Sequence, residues 1–300
     1  MNQKFIIALI FLVIYTSIQA QNIAAQQANN SIKEKVLPKI VSTNAVEYAI
    51  AFSKSQDSIL FVRHEGKWGR RDNPPANIYL ITQKDGIWSE PQLASFSDKT
   101  YNDSDVFIAE NNTIFFTSNR PYTGKIGSGA DIWKIEFEHG QWKTPIPLPV
   151  PINSSAMESS PVTNAKGDLY FTSIRELGKG MGDIYVATLN QDGTYNTPKL
   201  ILPLSTVYGE WNLFVHPQEE WIIFESSGRP EGRSSYGDLY ISYKIDGEWQ
   251  APKPLNSLNT TGSELNVCLG PKGKYLYFAS SDRLENISVN IYKVALKEIF

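Results

Sequence analysis

Asp105 is the residue of this 300-residue sequence whose type and place most invite a reaction. It stands two positions after Asp103, and Glu158 opens a corresponding stretch further along the chain. Two carboxyl groups held about 5–9.5 Å apart can cleave a glycosidic bond, one as acid and the other as nucleophile or base. If the chain is an enzyme, Asp105 and Glu158 are the residues it would use. A different chemistry is offered by Trp68, Arg70 and Arg71, in the segment Arg63–Pro75. An exposed indole beside guanidinium groups suits a carboxylate, a sugar or a partner loop. Tyr122 and Trp211 are further candidates for ligand or partner contact, and Asp105 belongs to that set too.

Other chemistries find no support. The single cysteine, Cys268, excludes a disulfide framework and any Cys-rich metal site. His64, His139 and His216 lie at unrelated spacings and make no zinc pattern, so neither metal nor cofactor is expected. The glycines at 124, 127 and 129, and at 178, 180 and 182, lack the Gly-Lys-Ser/Thr ending of a phosphate loop and no helical segment follows them. With 28 Lys+Arg against 31 Asp+Glu the net charge is -3, which excludes a generic nucleic-acid binder. An apolar content of 41% is ample for a core.

The N-terminus reads as a targeting segment. Lys4 precedes an apolar run from Phe5 to Tyr15, and Ile18-Gln19-Ala20 offers a small residue at a cleavage point. The run is shorter than the ~20 residues that span a bilayer. Residues 1–20 are therefore expected to be a signal peptide and 21–34 a flexible lead-in. Cys268 lies far from the cut, so no lipid-anchored cysteine follows it. The expected location is periplasmic or secreted, with no membrane insertion after signal removal.

The remainder repeats itself. An apolar strand ending in Phe recurs at Phe61, Phe116, Phe171, Phe224 and Phe278, with intervals of 55, 55, 53 and 54 residues. After each comes a second signature: Asn77-Ile78-Tyr79, Asp131-Ile132-Trp133, Asp183-Ile184-Tyr185, Asp238-Leu239-Tyr240 and Asn290-Ile291-Tyr292. A Gly-x-Trp/Tyr segment followed by Pro appears in four copies, at Trp88, Trp142, Tyr195 and Trp249. Glu47, Asp103, Glu158, Glu210 and Glu264 stand 13 or 14 places before each Phe.

Each unit reads as four short strands joined by turns, and no segment has a helical period. A repeat of this kind is the signature of a β-propeller. The chain is therefore all-β, with five four-stranded blades over residues 35–300, in repeats of about 45–100, 101–155, 156–208, 209–262 and 263–300 plus 35–44. The fifth repeat stops before its outer strand, and residues 35–41 (Lys35 to Val41) are expected to supply it, hiding sheet edges that would otherwise be open. Six blades, one of them degenerate, is the alternative.

These units resemble the WD-like repeats of the TolB-like β-propeller family. Glu158-Ser159-Ser160-Pro161 with Phe171-Thr172-Ser173-Ile174-Arg175 and Asp183-Ile184-Tyr185 carries the likeness most fully, and Phe116-Thr117-Ser118-Asn119-Arg120 is a second copy. The resemblance covers residues 45–296, although no copy has the family's full Ser-Pro-Asp-Gly turn. It implies a non-catalytic platform that binds an envelope protein or peptide. A carbohydrate-binding or glycoside-hydrolase-like propeller is the alternative.

Each acid opens a first strand, and Arg63, Arg120, Arg175, Arg229 and Arg283 each follow a second strand of the same hairpin. These ten residues are expected to ring one mouth of the propeller as a structural acid–Arg set. Two places after the acids come Ala49, Asp105, Ser160, Asn212 and Asn266. Strand alternation points this row at a wet central tunnel.

Overall fold

The structure, a computed structural model, describes residues 32–300 apart from 68–72, 128, 139–140, 235 and 282–287. It is a five-bladed β-propeller. In blade 3 the strands Glu158–Thr163, Leu169–Ser173, Asp183–Ala187 and Lys199–Leu200 pair antiparallel, in that order from the axis outward. Blades 1, 2 and 4 have inner strands Val46–Phe52, Asp103–Ile108 and Gly209–Val215 and the same order. Blade 5 builds three strands from Ser263–Leu269, Tyr275–Ser281 and Asn290–Ala295. Its outer strand is Lys33–Lys35, paired with the last of these. The closing strand thus ends at Lys35, where the expected one, residues 35–41, was to begin. Pro38, with no N–H to give a ladder, and Leu37 and Lys39, with φ of 40° and 74°, make that stretch a turn.

The core is divided among the blade interfaces. Five main clusters of buried side chains lie between blades 1 and 2, 2 and 3, 3 and 4, 4 and 5, and 5 and 1. The last joins Ile291 of blade 5 to Ile50, Ile59, Phe61 and Ile81 of blade 1, so the ring closes on hydrophobic contact as well as on strand pairing. The five repeated phenylalanines are fully buried. Each contributes roughly 1.5–3 kcal/mol of transfer free energy.

The recurrent sequence signatures form one interlocked unit. Phe61, Phe116, Phe171, Phe224 and Phe278 each face the aromatic of the next strand, with ring centroids 6.0–6.5 Å apart. In blades 1 to 4 the arginine lies over both rings, at 4.7–5.6 Å from their centroids. Its guanidinium meets the buried acid: Arg63–Glu47 at 3.0 Å, Arg120–Asp103 at 2.6 Å, Arg175–Glu158 at 3.1 Å and Arg229–Glu210 at 2.8 Å. Arg283 lies outside the described residues. Each acid's backbone N–H also bonds the preceding blade's carbonyl, from Val289 to Glu47 at 2.9 Å through Gly237 to Glu264 at 3.0 Å. Phe, aromatic, Arg and acid recur together because each blade must be pinned to its neighbour at the same point.

Candidate functional site

The acids of the mouth are occupied. Glu158 accepts from Ser154 N at 2.8 Å, Ser154 Oγ at 2.7 Å, Ser173 Oγ at 2.8 Å and Arg175 Nη2 at 3.1 Å. Asp103 likewise accepts from Ser97 Oγ, Asp98 N, Ser118 Oγ and Arg120. Both carboxylates are wholly buried, so neither reaches a substrate beside Asp105. Burial lifts Glu47 and Glu210 above the usual carboxylate range despite their threonine and arginine partners. It pushes Glu264 to about 7, against bonds from Thr260 and Ser280 and the charge of Lys33.

The row containing Asp105 departs from simple alternation. Ala49, Asp105, Ser160, Asn212 and Asn266 all have φ between 48° and 54°, and in every inner strand the pairing register shifts just there. Each is the extra residue of a β-bulge in the left-handed region, where Asn and Asp are tolerated best. Five bulges around the axis turn these side chains towards one another. Asn266 Nδ2 reaches Asp105 Oδ1 at 3.3 Å and Asn212 Oδ1 at 3.1 Å, and Asn212 N donates to Ser160 Oγ at 3.2 Å. The expected tunnel is a hydrogen-bonded plug. The space left there is about 30 Å³, room for a water or two. Burial raises the Asp105 carboxyl above its usual range, against bonds from Thr117, Asn266, Ser104 and the Ser160 N–H.

Sequence reasoning missed Glu225. It is 7% exposed, on the second strand of blade 4, and Asn212 Nδ2 donates to it. The signal was present: Glu225 occupies the place held by Val62, Thr117, Thr172 and Ala279 in the other repeats, directly after the phenylalanine.

Tyr122 and Trp211 spend their rings on packing. Tyr122 meets Trp133 edge-on at 5.4 Å. The Trp211 indole lies so close to Gly182 and Gly209 that a Cβ on either would sit 2.5–2.6 Å from it. Those two glycines bridge blades 3 and 4, and the indole covers their contact. Trp68, Arg70 and Arg71 lie outside the described residues, as does His139. The base of their loop is described: Asn73 clasps Lys67 through its side-chain oxygen at 3.0 Å and nitrogen at 2.7 Å. His216 is a turn residue whose ring lies tilted against Trp221, with centroids 5.1 Å apart. Among the described residues no group of three or more His, Cys, Asp or Glu could hold a metal. No described helix is long and apolar enough to cross a membrane.

The larger cavity opens on the opposite face. Six inner-strand residues at ~3.3 Å each carry the chain about 20 Å from the acid mouth to the first hairpins. There the five inner strands end around a cavity of about 350 Å³, within the ~300–1,000 Å³ typical of small-ligand sites. Phe52, Phe107 and Phe214 lie in its wall, with Lys54, Lys272 and Glu110 from the hairpins. Phe107 and Phe214 fill the row four places after the acids, where the other blades carry Ala51, Val162 and Cys268. Burial pushes the Cys268 thiol up to about 12, leaving it protonated and unreactive. A second space of about 180 Å³, lined by Lys166 and Tyr195, shares Ala109, Glu110 and Thr163 with the first.

No protein-family model and no curated protein matches this sequence. Solved structures do share the fold. An endo-arabinase from Bacteroides thetaiotaomicron is 15% identical, with a TM-score of 0.52 over 87% of this chain and 97% of its own. The GH43 endo-arabinanase from Bacillus licheniformis is 11% identical, with a TM-score of 0.50 over 85% and 95%. A Dyadobacter fermentans protein of unknown function is 14% identical, with a TM-score of 0.52 over 89% and 84%. At such identities the likeness is one of fold.

Proposed function

We propose that this protein is a carbohydrate-binding β-propeller of the cell envelope, periplasmic or secreted, whose ligand sits in the hairpin-face cavity. The observation that carries this reading is the cavity itself: axial, of ligand size, and walled by Phe52, Phe107 and Phe214. Aromatic faces pack against the apolar C–H faces of sugars, while hairpin polar groups meet the hydroxyls. Resemblance of fold to two arabinan-cleaving enzymes supports sugar as the ligand class. Two-carboxylate hydrolysis needs a second acid at a set distance. The described lining of this cavity holds one, Glu110, and Asp105 lies in the plug beneath it. Binding is therefore the function the geometry supports best. A glycan array followed by calorimetry tests it: at least one oligosaccharide class should bind, and Phe107→Ala should weaken it tenfold or more. A folded protein that binds no glycan would end this reading.

A second reading, a platform for an envelope protein or peptide, is favoured by one observation at the acid mouth. Leu177, Met181 and Val207 are 95%, 78% and 74% exposed, and Met181 N bonds Tyr208 O at 3.3 Å, beside Val207. Apolar side chains so presented fit a protein contact better than a sugar. The resemblance of the repeats to those of the TolB-like family would fit this reading. Capture from envelope extract that is unchanged when all three become Ser would refute this reading.

A further inference from the structure

The charged groups of the hairpin face are unevenly matched. Several of its carboxylates are engaged locally: Asp57 by Ser53, Ser55 and Ser58, Asp168 by Asn164, Glu219 by Tyr170 and Lys244, and Glu220 by His216. Lys244 is thus paired with Glu219, but the lysines that line the two spaces are not so engaged. Lys54 and Lys272 rim the larger space and Lys166 the smaller, and none has a carboxylate partner among the described residues. Glu110, at the junction of the two spaces, is the carboxylate with no such partner there.

We infer that this site recognises an acidic oligosaccharide, one whose sugar rings carry carboxylates and which spans both spaces. This rests on the carbohydrate reading above and names its ligand class. Lys54 and Lys272, from the neighbouring blades 1 and 5, place two positive charges at the rim of an apolar floor. A lysine is a point charge on a flexible stem and can follow a carboxylate without fixed bidentate geometry. Phe107, half-buried beside the buried Phe214, takes the C–H face of a ring below, and Glu110 accepts hydrogen bonds from hydroxyls where the two spaces meet. The two volumes, about 350 and 180 Å³, exceed one sugar ring's need and extend from the axis towards blade 3. The proximity of several lysines to a low-dielectric floor favours an anion, and the preference weakens with salt.

The test uses the full chain and three probes of matched skeleton: a β-1,4-mannuronic acid trisaccharide, the neutral β-1,4-mannotriose, and mannuronic acid alone. Calorimetry at low salt should show the acidic trisaccharide binding at least tenfold more tightly than either of the others, with the advantage shrinking at 0.5 M salt. Lys54→Gln with Lys272→Gln should erase the preference while leaving the fold intact, since both side chains are exposed. Lys166→Gln should weaken the trisaccharide and leave the monosaccharide unchanged. Equal affinity for acidic and neutral trisaccharides overturns the inference but leaves the carbohydrate reading standing. Acidic binding unmoved by the double lysine change also overturns it, because the ligand then lies elsewhere. If no saccharide of any array binds, both readings fall together.

Discussion

Asn266 and Asn212 share one backbone conformation, φ 48° and 49°, and their side chains meet across the propeller axis, Nδ2 of the first donating to Oδ1 of the second at 3.1 Å. They come from adjacent blades and are 54 residues apart in sequence. Asp105 occupies the same place in blade 2 and accepts from the same Asn266 amide. A carboxylate thus sits where two other blades use a neutral amide, and this defines the first prediction.

Asp105→Asn should stabilise the protein at neutral pH. Burial raises the Asp105 carboxyl in the folded state, so the folded protein holds that proton to higher pH than the unfolded chain. Stability from this group is fully present below the ordinary Asp pKa of ~3.9 and falls as pH rises through the folded value. Asn keeps an acceptor and tolerates φ of 50°. Thermal unfolding from pH 4 to 8 should show the variant's advantage growing with pH to roughly 1 kcal/mol. Glu264, held at about 7, imposes a decline of the same sign between about pH 4.5 and 7 in both proteins, so the difference between them is the readout.

Arg229→Ala should be strongly destabilising. Its Nη2 reaches Glu210 at 2.8 Å and the Leu204 carbonyl at 3.2 Å, and the guanidinium lies 4.7 Å from the Tyr240 ring centroid. Removing it strands a fully buried Glu210, at a cost of about 3–5 kcal/mol. Arg229→Lys should recover only part, because an ammonium cannot lie flat on two rings and bond sideways. Denaturant midpoints check both; a loss under 1 kcal/mol for the Ala variant would contradict the pinning role.

Ala49→Gly should stabilise. Ala49 is the one bulge residue with neither a polar side chain nor glycine's freedom, yet it holds φ of 50°. Left-handed backbone costs a non-glycine residue about 1–2 kcal/mol. Part of this relief is lost to the greater freedom of the unfolded glycine chain. A net gain of about 0.5–1 kcal/mol is expected from chemical unfolding, with the unfolding slope unchanged.

Beginning the chain at Val36 should open the ring. Lys33, Glu34 and Lys35 pair with Val294, Lys293 and Tyr292, and without them that strand becomes a bare edge. Such edges recruit other chains. Light scattering should show concentration-dependent association that the intact chain lacks, together with a broader thermal transition. A trimmed protein that stays monomeric with the same midpoint would show that closure rests on the blade 5–blade 1 core instead.

The repeat was legible in the sequence because it is local and periodic. Phe171, Tyr185, Arg175 and Glu158 lie within one unit, so their spacing already told which strand each occupied, while five blades or six stayed open until the ring was seen to close. The placing of the closing strand was less legible: Lys33–Lys35 is too short to carry an apolar pattern, and the apolar Val36 to Val41 drew attention to a turn instead. Glu225 was visible as an exception to its column, but its column points to the axis only after the blades are set side by side.

The sequence by itself determined the repeating blade and the acids and arginines that staple it, because each depends on contacts within one unit or between successive units; that five blades close the ring was decided by the tertiary structure. The tertiary structure alone decided what happens at the axis and on the hairpin face. A bulge in every inner strand overrides the two-residue alternation read from sequence, and turns Asp105, Ser160, Asn212 and Asn266 into a plug. The cavity joins Phe52, Phe107, Phe214 and Lys272 from four blades. No spacing along a chain records that convergence, since it arises only when the ring closes.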